Sequence, residues 1–172
     1  MTKLLVFSDS HGRGSNMIEA LARQIKKPDY IAFLGDGLRD LSYCEFGEIP
    51  VYAVSGNCDV FNFYGNGFAE EEIIVTLSGK RFMMVHGDRY DVKHGLARLV
   101  CSADKQDIDV VLFGHTHVPV ATYLDKDENQ FGIKLKKPMY LFNPGSIGGY
   151  DESFGCVTVD KRGEILLSHG SL

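Results

Sequence analysis

The sequence predicts a layered α/β domain, and three observations carry that expectation. Short apolar, β-rich runs alternate with helical patterns through the first half of the chain. The second half is mostly strand-like. No Pro/Ser-rich linker, internal repeat or low-complexity tract interrupts the 172 residues, which reads as one domain, 1–172, with a sizeable core.

Each element has a local reason. Lys3 to Phe7 is a short apolar run, as in a strand buried on both faces. Ile18, Leu21, Ala22 and Ile25 recur at helical spacing, and Pro28 closes that helix. Tyr30 to Leu34 and Val51 to Val54 read as the next strands, with a short helix within Leu38 to Phe46. Asn62 to Asn66, rich in Gly and Asn, reads as a loop. Glu72 to Leu77 and Arg81 to Val85 flank Ser78-Gly79-Lys80, a hairpin turn. Val92, Leu96, Leu99 and Val100 mark a second amphipathic helix, and Asp109 to Phe113 is a β-rich strand. From Val118 onward the pattern is hairpin-like. Val120 to Leu124, the polar stretch Asp125 to Lys137 and Met139 to Phe142 are followed by Cys156 to Val159 and Ile165 to Leu167. At least one largely antiparallel sheet is expected.

Composition narrows the function. Hydrophobic content of 44% and charged content of 24% are ordinary for a globular protein. A net charge of -5 argues against a nucleic-acid polymer as partner, though not against a small nucleotide. The first apolar run stops at Asp9 and His11, too soon for a signal peptide, and no stretch could span a bilayer. Cys44, Cys58, Cys101 and Cys156 are scattered, with no CxxC, which fits free thiols in a reducing cytoplasm.

Metal-ligand side chains recur at six stations. They are Asp9-Ser10-His11, Gly35-Asp36-Gly37, Gly56-Asn57-Cys58-Asp59, His86-Gly87-Asp88, Gly114-His115-Thr116-His117 and Asn143-Pro144-Gly145-Ser146. The first five each begin where a strand-like run stops, which in an α/β protein gathers them at one rim of a sheet. Three oxygen donors (Asp9, Asp36, Asn57) and four imidazoles (His11, His86, His115, His117) suit a pair of divalent cations. Asp9 and His11, like His115 and His117, are two apart, so in extended backbone they project to one side. Asp36 can use both oxygens and bridge two ions. Mixed nitrogen and oxygen ligation suits Mn, Fe, Zn, Ni or Co, and argues against Ca or Mg. Taken singly, each motif reads more readily as a solvated loop; the order of all of them is the signal. The chain reads as a metal-dependent hydrolase acting on phosphate esters.

That order, covering Asp9 to Ser146, resembles the calcineurin-like metallophosphoesterase superfamily, and within it the small YfcE-type phosphodiesterases. The resemblance implies a four-layer α/β/β/α sandwich of two mixed sheets flanked by helices. It implies two divalent transition metal ions per chain, with Mn favoured. One would take Asp9, His11, Asp36 and His117; the other Asp36, Asn57, His86 and His115. A bridging hydroxide would attack a small phosphodiester in line. Asn143 and Gly145 would belong to a substrate-side loop, with a plain Pro-Gly turn as the alternative reading. Arg13, Arg39 and Arg89 each follow a motif and could touch a phosphoryl oxygen or be surface arginines.

One position departs from the superfamily. Cys58 stands where these phosphatases usually carry the His thought to protonate the leaving group. A thiol, with an ordinary pKa of about 8.5, is a poorer acid near neutrality. Asn57, Cys58 and Asp59 are thus the candidate catalytic group, and diesters or leaving groups needing little proton help are the expected substrates. Asp59, without that His, could instead cap the following turn. Asp88 could hold an imidazole or be a loop carboxylate, His94 could be an alternative acid or a surface residue, and His169 reads as solvated.

Three further expectations follow. A non-catalytic scaffold like the retromer subunit of this superfamily is the rival reading, opposed by retention of all seven ligands. A phosphomonoesterase on the same site is another. Phe61, Phe63, Tyr64 and Phe68 could form a dimer contact, stack on a base or simply pack; a homo-oligomer, dimer or tetramer, is the candidate assembly, and no membrane partner is expected.

Overall fold

In the computed structural model, described for residues 1–59, 63, 64 and 67–172, the first half of the chain holds β1 (Thr2–Phe7), α1 (Gly14–Ala22), β2 (Tyr30–Phe33), α2 (Leu38–Leu41) and β3 (Val51–Ala53). Next come β4 (Phe63–Tyr64), β5 (Gly67–Phe68), β6 (Glu72–Leu77), β7 (Lys80–Val85) and a 3-10 turn at Asp88–Tyr90. The chain continues with α3 (Ala97–Lys105), β8 (Val110–Phe113), β9 (Val120–Leu124), β10 (Met139–Asn143), β11 (Ser153–Val159) and β12 (Ile165–Ser171).

Alternation along the strands builds two kinds of core. Leu4 and Val6 of β1 face Phe82 and Met84 of β7 across the space between two sheets. Leu5 and Phe7 point the other way, onto Met17, Ala20, Leu38 and Leu41 of α1 and α2. Met83 and Val85 of β7 likewise pack on Leu99, Val100 and Ala103 of α3. Strands buried on both faces read as continuous apolar runs for this reason. The result is the expected sequence of layers: helices, sheet, sheet, helix.

The first sheet has strand order β12-β11-β1-β2-β3 and the second β6-β7-β8-β10-β9. In each, two pairings are parallel and two antiparallel. Neither is the largely antiparallel sheet expected from the run of strands in the second half. The reason is that β7, β8 and β10 run parallel through crossovers, while only β6 and β9 close as hairpins. Within each sheet the parallel strands, β1, β2 and β3 in one and β7, β8 and β10 in the other, end on the same side, where the motifs follow them.

Several local expectations shift. α1 ends at Ala22 and buries Met17 and Ala20, leaving Ile25 fully exposed beyond its end. Gln24 caps the last turn by donating to the Ala20 carbonyl, and Lys3 Nζ, near the start of β1, donates to Gln24 and the Lys26 carbonyl. Val92 is buried but precedes α3. Within the segment read as a loop, Phe63–Tyr64 pair with Gly67–Phe68 as a short ribbon; Phe61, Asn62, Gly65 and Asn66 lie outside the described residues. Ser78 and Gly79, with φ of 48° and 74°, form the tight turn that matches the strand twist between β6 and β7. Among the described residues, no helix is long and apolar enough to cross a membrane.

Candidate metal centre

The loops leaving these strand ends turn back sharply. Asp9, His11, Asp36, His115 and His117 all have left-handed backbone, with φ of 57°, 44°, 59°, 65° and 61°. They are five of the nine non-glycine residues in that region among the described residues. Each such residue costs about 1–2 kcal/mol, so this concentration at one rim marks a site. Glycine is required where the loops touch. A Cβ on Gly35, itself at φ 91°, would meet the Gly56 nitrogen at 2.6 Å, and one on Gly114 would collide with Ser8 Oγ.

The seven side chains converge. Asp9 Oδ1 lies 3.2 Å from His117 Nε2 and 3.8 Å from His11 Nε2. The His11 and His117 Nε2 atoms are 3.2 Å apart. On the other flank His86 Nε2 is 3.3 Å from Asp36 Oδ2, 3.2 Å from Asn57 Oδ1 and 3.1 Å from His115 Nδ1. Asp9 Oδ1 and His86 Nε2, 4.0 Å apart, join the two flanks. Potential ligand atoms fall into overlapping groups within 4.8 Å: Asp9-His11-His117, Asp36-His86-His115, and His11-Asp36-Cys58.

Surrounding residues aim these groups. Ser8 Oγ and the His115 N–H both donate to Asp9 Oδ2, at 2.5 and 3.1 Å, which turns Oδ1 inward. His86 Nδ1–H donates to the Leu34 carbonyl at 2.7 Å, so in the neutral ring the Nε2 lone pair faces the centre. Asp40, absent from the sequence-based set, accepts from Ser10 Oγ at 2.6 Å and the Gly12 N–H at 2.7 Å and shapes the His11 loop. Ser146 Oγ donates to the Asp9 carbonyl at 2.7 Å. Only the ordinary loop composition around them hinted at these roles.

Asp59 is engaged by four main-chain donors. Its carboxylate accepts from the N–H groups of Asp36, Gly37, Leu38 and Gly56 at 2.8 to 2.9 Å. It clamps the Asp36 and Asn57 loops together and caps α2, which lacks a cap from its own Gly37.

Two expected substrate residues face elsewhere. Asn143 is fully buried. Its amide donates to the Gly114 carbonyl and Thr116 Oγ1 and its oxygen accepts from the Gly145 N–H, at 2.9, 3.1 and 2.8 Å. With its hydrogen bonds spent inside the protein, it positions the His115–His117 loop. Gly145, buried with φ 80°, packs on Pro119 and serves the turn. His169 is exposed, as expected, and also bonds the Asn143 carbonyl at 2.7 Å and stacks on Phe142 with centroids 4.7 Å apart.

The three arginines separate. Arg13 pairs with Glu152 at 3.1 Å, and Arg89 pairs with Glu71. Arg39 has no ion pair among the described residues, and it lines an open cleft of about 390 Å³ with His11, Asp36 and Cys58. Exposed His94 pairs with Asp91 at 2.6 Å, and Asp88 opens the 3-10 turn without bonding an imidazole among the described residues.

Charges are coupled. Burial opposes ionisation of Asp36, but the His86 hydrogen bond, the Cys58 N–H at 2.7 Å and the His86 charge outweigh it and hold its carboxyl well below the usual range. Burial also opposes protonation of His86, but Asp36 and Asp9 raise it above an ordinary imidazole. Burial and then the His86 charge push His115 down. Burial, followed by Asp36 and the neighbouring carboxylates, pushes the Cys58 thiol up.

The donor set fits divalent cations. Asp9 Oδ1 is buried and accepts no hydrogen bond among the described residues, with the His117 and His11 ring nitrogens at 3.2 and 3.8 Å; a buried acceptor left so costs about 1–3 kcal/mol. Lone pairs of neutral His86, His115 and Asn57 meet at 3.1 to 3.2 Å, which only a proton or a cation reconciles. Asp9, His11, Asp36 and His117 could hold one ion, and Asp36, Asn57, His86 and His115 another.

Comparison with known proteins agrees with this geometry. The family model for the calcineurin-like phosphoesterase superfamily domain matches residues 2–162. YsnB of Bacillus subtilis, named a probable metallophosphoesterase, is 26% identical over 144 residues, covering 84% of this chain and 74% of YsnB. A probable metallophosphoesterase of Mycoplasma pneumoniae is 29% identical over 150 residues, covering 86% of this chain and 80% of its own. A predicted phosphoesterase structure from Streptococcus pneumoniae superposes with a TM-score of 0.69 at 26% identity, covering 99% and 98% of the two chains. Two others share the fold. The phosphoesterase YfcE of E. coli has a TM-score of 0.59 at 22% identity, with 99% of both chains covered. Vacuolar Protein Sorting 29 of Cryptosporidium parvum reaches 0.69 at 20%, covering 99% of this chain and 98% of its own.

Proposed function

The chain belongs to the calcineurin-like phosphoesterase superfamily, and on that premise we propose that it is a metal-dependent phosphodiesterase acting on small phosphodiesters at a site for two ions. The carrying observation is the convergence of seven donor side chains at one rim, among them the buried Asp9 Oδ1, which accepts no hydrogen bond among the described residues. Two divalent ions, manganese in the first instance, would activate water for attack on phosphorus and neutralise the phosphoryl oxygens.

The chain's own residues do the positioning. Asp36 sits between the flanks, 3.3 Å from His86 on one side and grouped with His11 and Cys58 on the other. Leu34 fixes the His86 tautomer, and Asp59 fixes the Asp36 backbone. Arg39, unpaired in the cleft among the described residues, is placed to meet a substrate anion. Cys58 beside the centre is a poor proton donor, which supports diesters over monoesters. The free thiols support a cytoplasmic location. The acidic balance supports a small phosphate ester rather than a nucleic-acid polymer or membrane as partner; a homo-oligomer is the assembly to test.

The likeness to Vacuolar Protein Sorting 29 keeps a non-catalytic scaffold as the second reading. The test is metal-stripped protein re-supplied with Mn, Ni, Zn or Mg, assayed on paired chromogenic phosphomonoesters and phosphodiesters. Diester-biased activity restored by transition metals is expected. Failure to bind any ion would overturn the enzyme reading in favour of the scaffold.

A further inference from the structure

Cys58 stands on the solvent face of the centre, within reach of two of its ligands. Its Sγ, a His11 ring nitrogen and an Asp36 carboxylate oxygen lie within 4.8 Å of one another. Bonds of about 2.0–2.3 Å give a tetrahedral edge of about 3.5 Å, and rotation of the exposed Cys58 and His11 side chains closes that difference. The same three residues line the 390 Å³ cleft, so the space between them is open to an ion.

Two further observations point to a cation there. Asn57 turns its oxygen toward His86 at 3.2 Å and donates its Nδ2–H to Cys58 Sγ at 3.3 Å. A donor aimed at sulfur fixes its direction, as outer partners do for metal ligands. The buried Asp9 Oδ1, which accepts no hydrogen bond among the described residues and lies 3.8 Å from His11 Nε2, directs negative charge toward the same imidazole.

We propose that Cys58 is a conditional metal ligand that joins His11 and Asp36 around a thiophilic ion such as zinc and stays free when manganese is bound. The inference rests on the reading of the centre as a metal site. Its chemical basis is softness: thiolate selects zinc-like ions, whereas manganese takes oxygen and imidazole. On binding, the sulfur lone pair forms the new bond and the thiol proton leaves to solvent. An ion on this face fills the space beside Asp36 through which substrate approaches, so zinc should support less turnover than manganese.

The test is a titration of the metal-free, full-length protein with cobalt(II) as an optical probe, then with zinc and manganese. A thiolate-to-cobalt charge-transfer band is expected in the wild type and in Cys101→Ser, and absent in Cys58→Ser and Cys58→Ala. Zinc affinity should fall in both Cys58 variants by more than the about tenfold lost with a weak outer partner, with manganese affinity unchanged. Cobalt bands of the nitrogen and oxygen ligands without the charge-transfer band, or equal zinc affinity in all variants, would overturn the role of Cys58 and leave the centre standing. Absence of binding by cobalt, zinc and manganese alike would overturn the metal-site reading beneath it.

Discussion

Replacing Asp59 separates a clamp from a catalyst. Its carboxylate accepts four main-chain N–H bonds of 2.8 to 2.9 Å, from Asp36, Gly37, Leu38 and Gly56. At about 0.5–1.5 kcal/mol net each, four bonds amount to about 2–6 kcal/mol. The site is half-buried, so water replaces part of that loss, and about 2–4 kcal/mol is expected for Asp59→Ala. For a chain of this size that lowers Tm by about 4–16 °C. Asp59→Asn keeps one acceptor oxygen and turns an amide N–H against the donors the other oxygen served, so it should lose at least half as much. The assay is reversible thermal unfolding in chelator, paired with manganese titration, because the Asp36 loop held by Asp59 carries the shared carboxylate. Both variants should lose stability and metal affinity together. An unchanged Tm with a rate loss that grows as the leaving group becomes more basic would refute the clamp and make Asp59 part of proton transfer.

Other predictions follow from the same geometry. Asp9→Asn should stabilise the metal-free protein by about 1–2 kcal/mol, since it replaces a buried carboxylate oxygen that accepts no hydrogen bond among the described residues, while abolishing tight metal binding; unfolding in chelator and calorimetric titration read the two effects. Asp36 is depressed, so its contribution is present above its unfolded pKa of about 3.9 and lost as pH falls through the lower folded value. His86 is raised, so its contribution is full below its unfolded pKa of about 6.5 and lost as pH rises through the higher folded value. His115 is pushed down, so its contribution is present above its unfolded pKa of about 6.5 and lost as pH falls. Tm of the chelated protein should therefore be highest near about pH 6.5, and added metal should move the optimum upward because it needs neutral imidazole. Arg39→Ala should raise KM for phosphodiesters more than it lowers kcat, whereas Arg13→Ala, which breaks only an exposed pair with Glu152, should change neither much.

The depth of what the sequence conveyed depends on range. Apolar runs ending at Asp9, Asp36, Asn57, His86 and His115 located the strand ends, because strand burial is written in consecutive residues. The helix at Ile18 to Ile25 misled, since its buried face, Met17 and Ala20, is chosen by the sheet beneath it. The antiparallel expectation failed for a similar reason: β7, β8 and β10 pair in parallel through crossovers that leave no mark in the strands themselves.

By itself, then, the sequence determined which donors the chain owns, their order, and that each follows a strand, all properties of neighbouring residues. Tertiary structure alone decided where each donor points. Asp9 Oδ2 is tied to the His115 N–H across 106 positions of sequence, and Asn143 spends its amide on a loop 29 positions away. Arg13 is neutralised by Glu152 while Arg39 is left in the cleft. Hydrogen bonds and ion pairs act over about 3–4 Å of space and are indifferent to separation along the chain, so these assignments become visible only when the sheets bring distant loops to one rim.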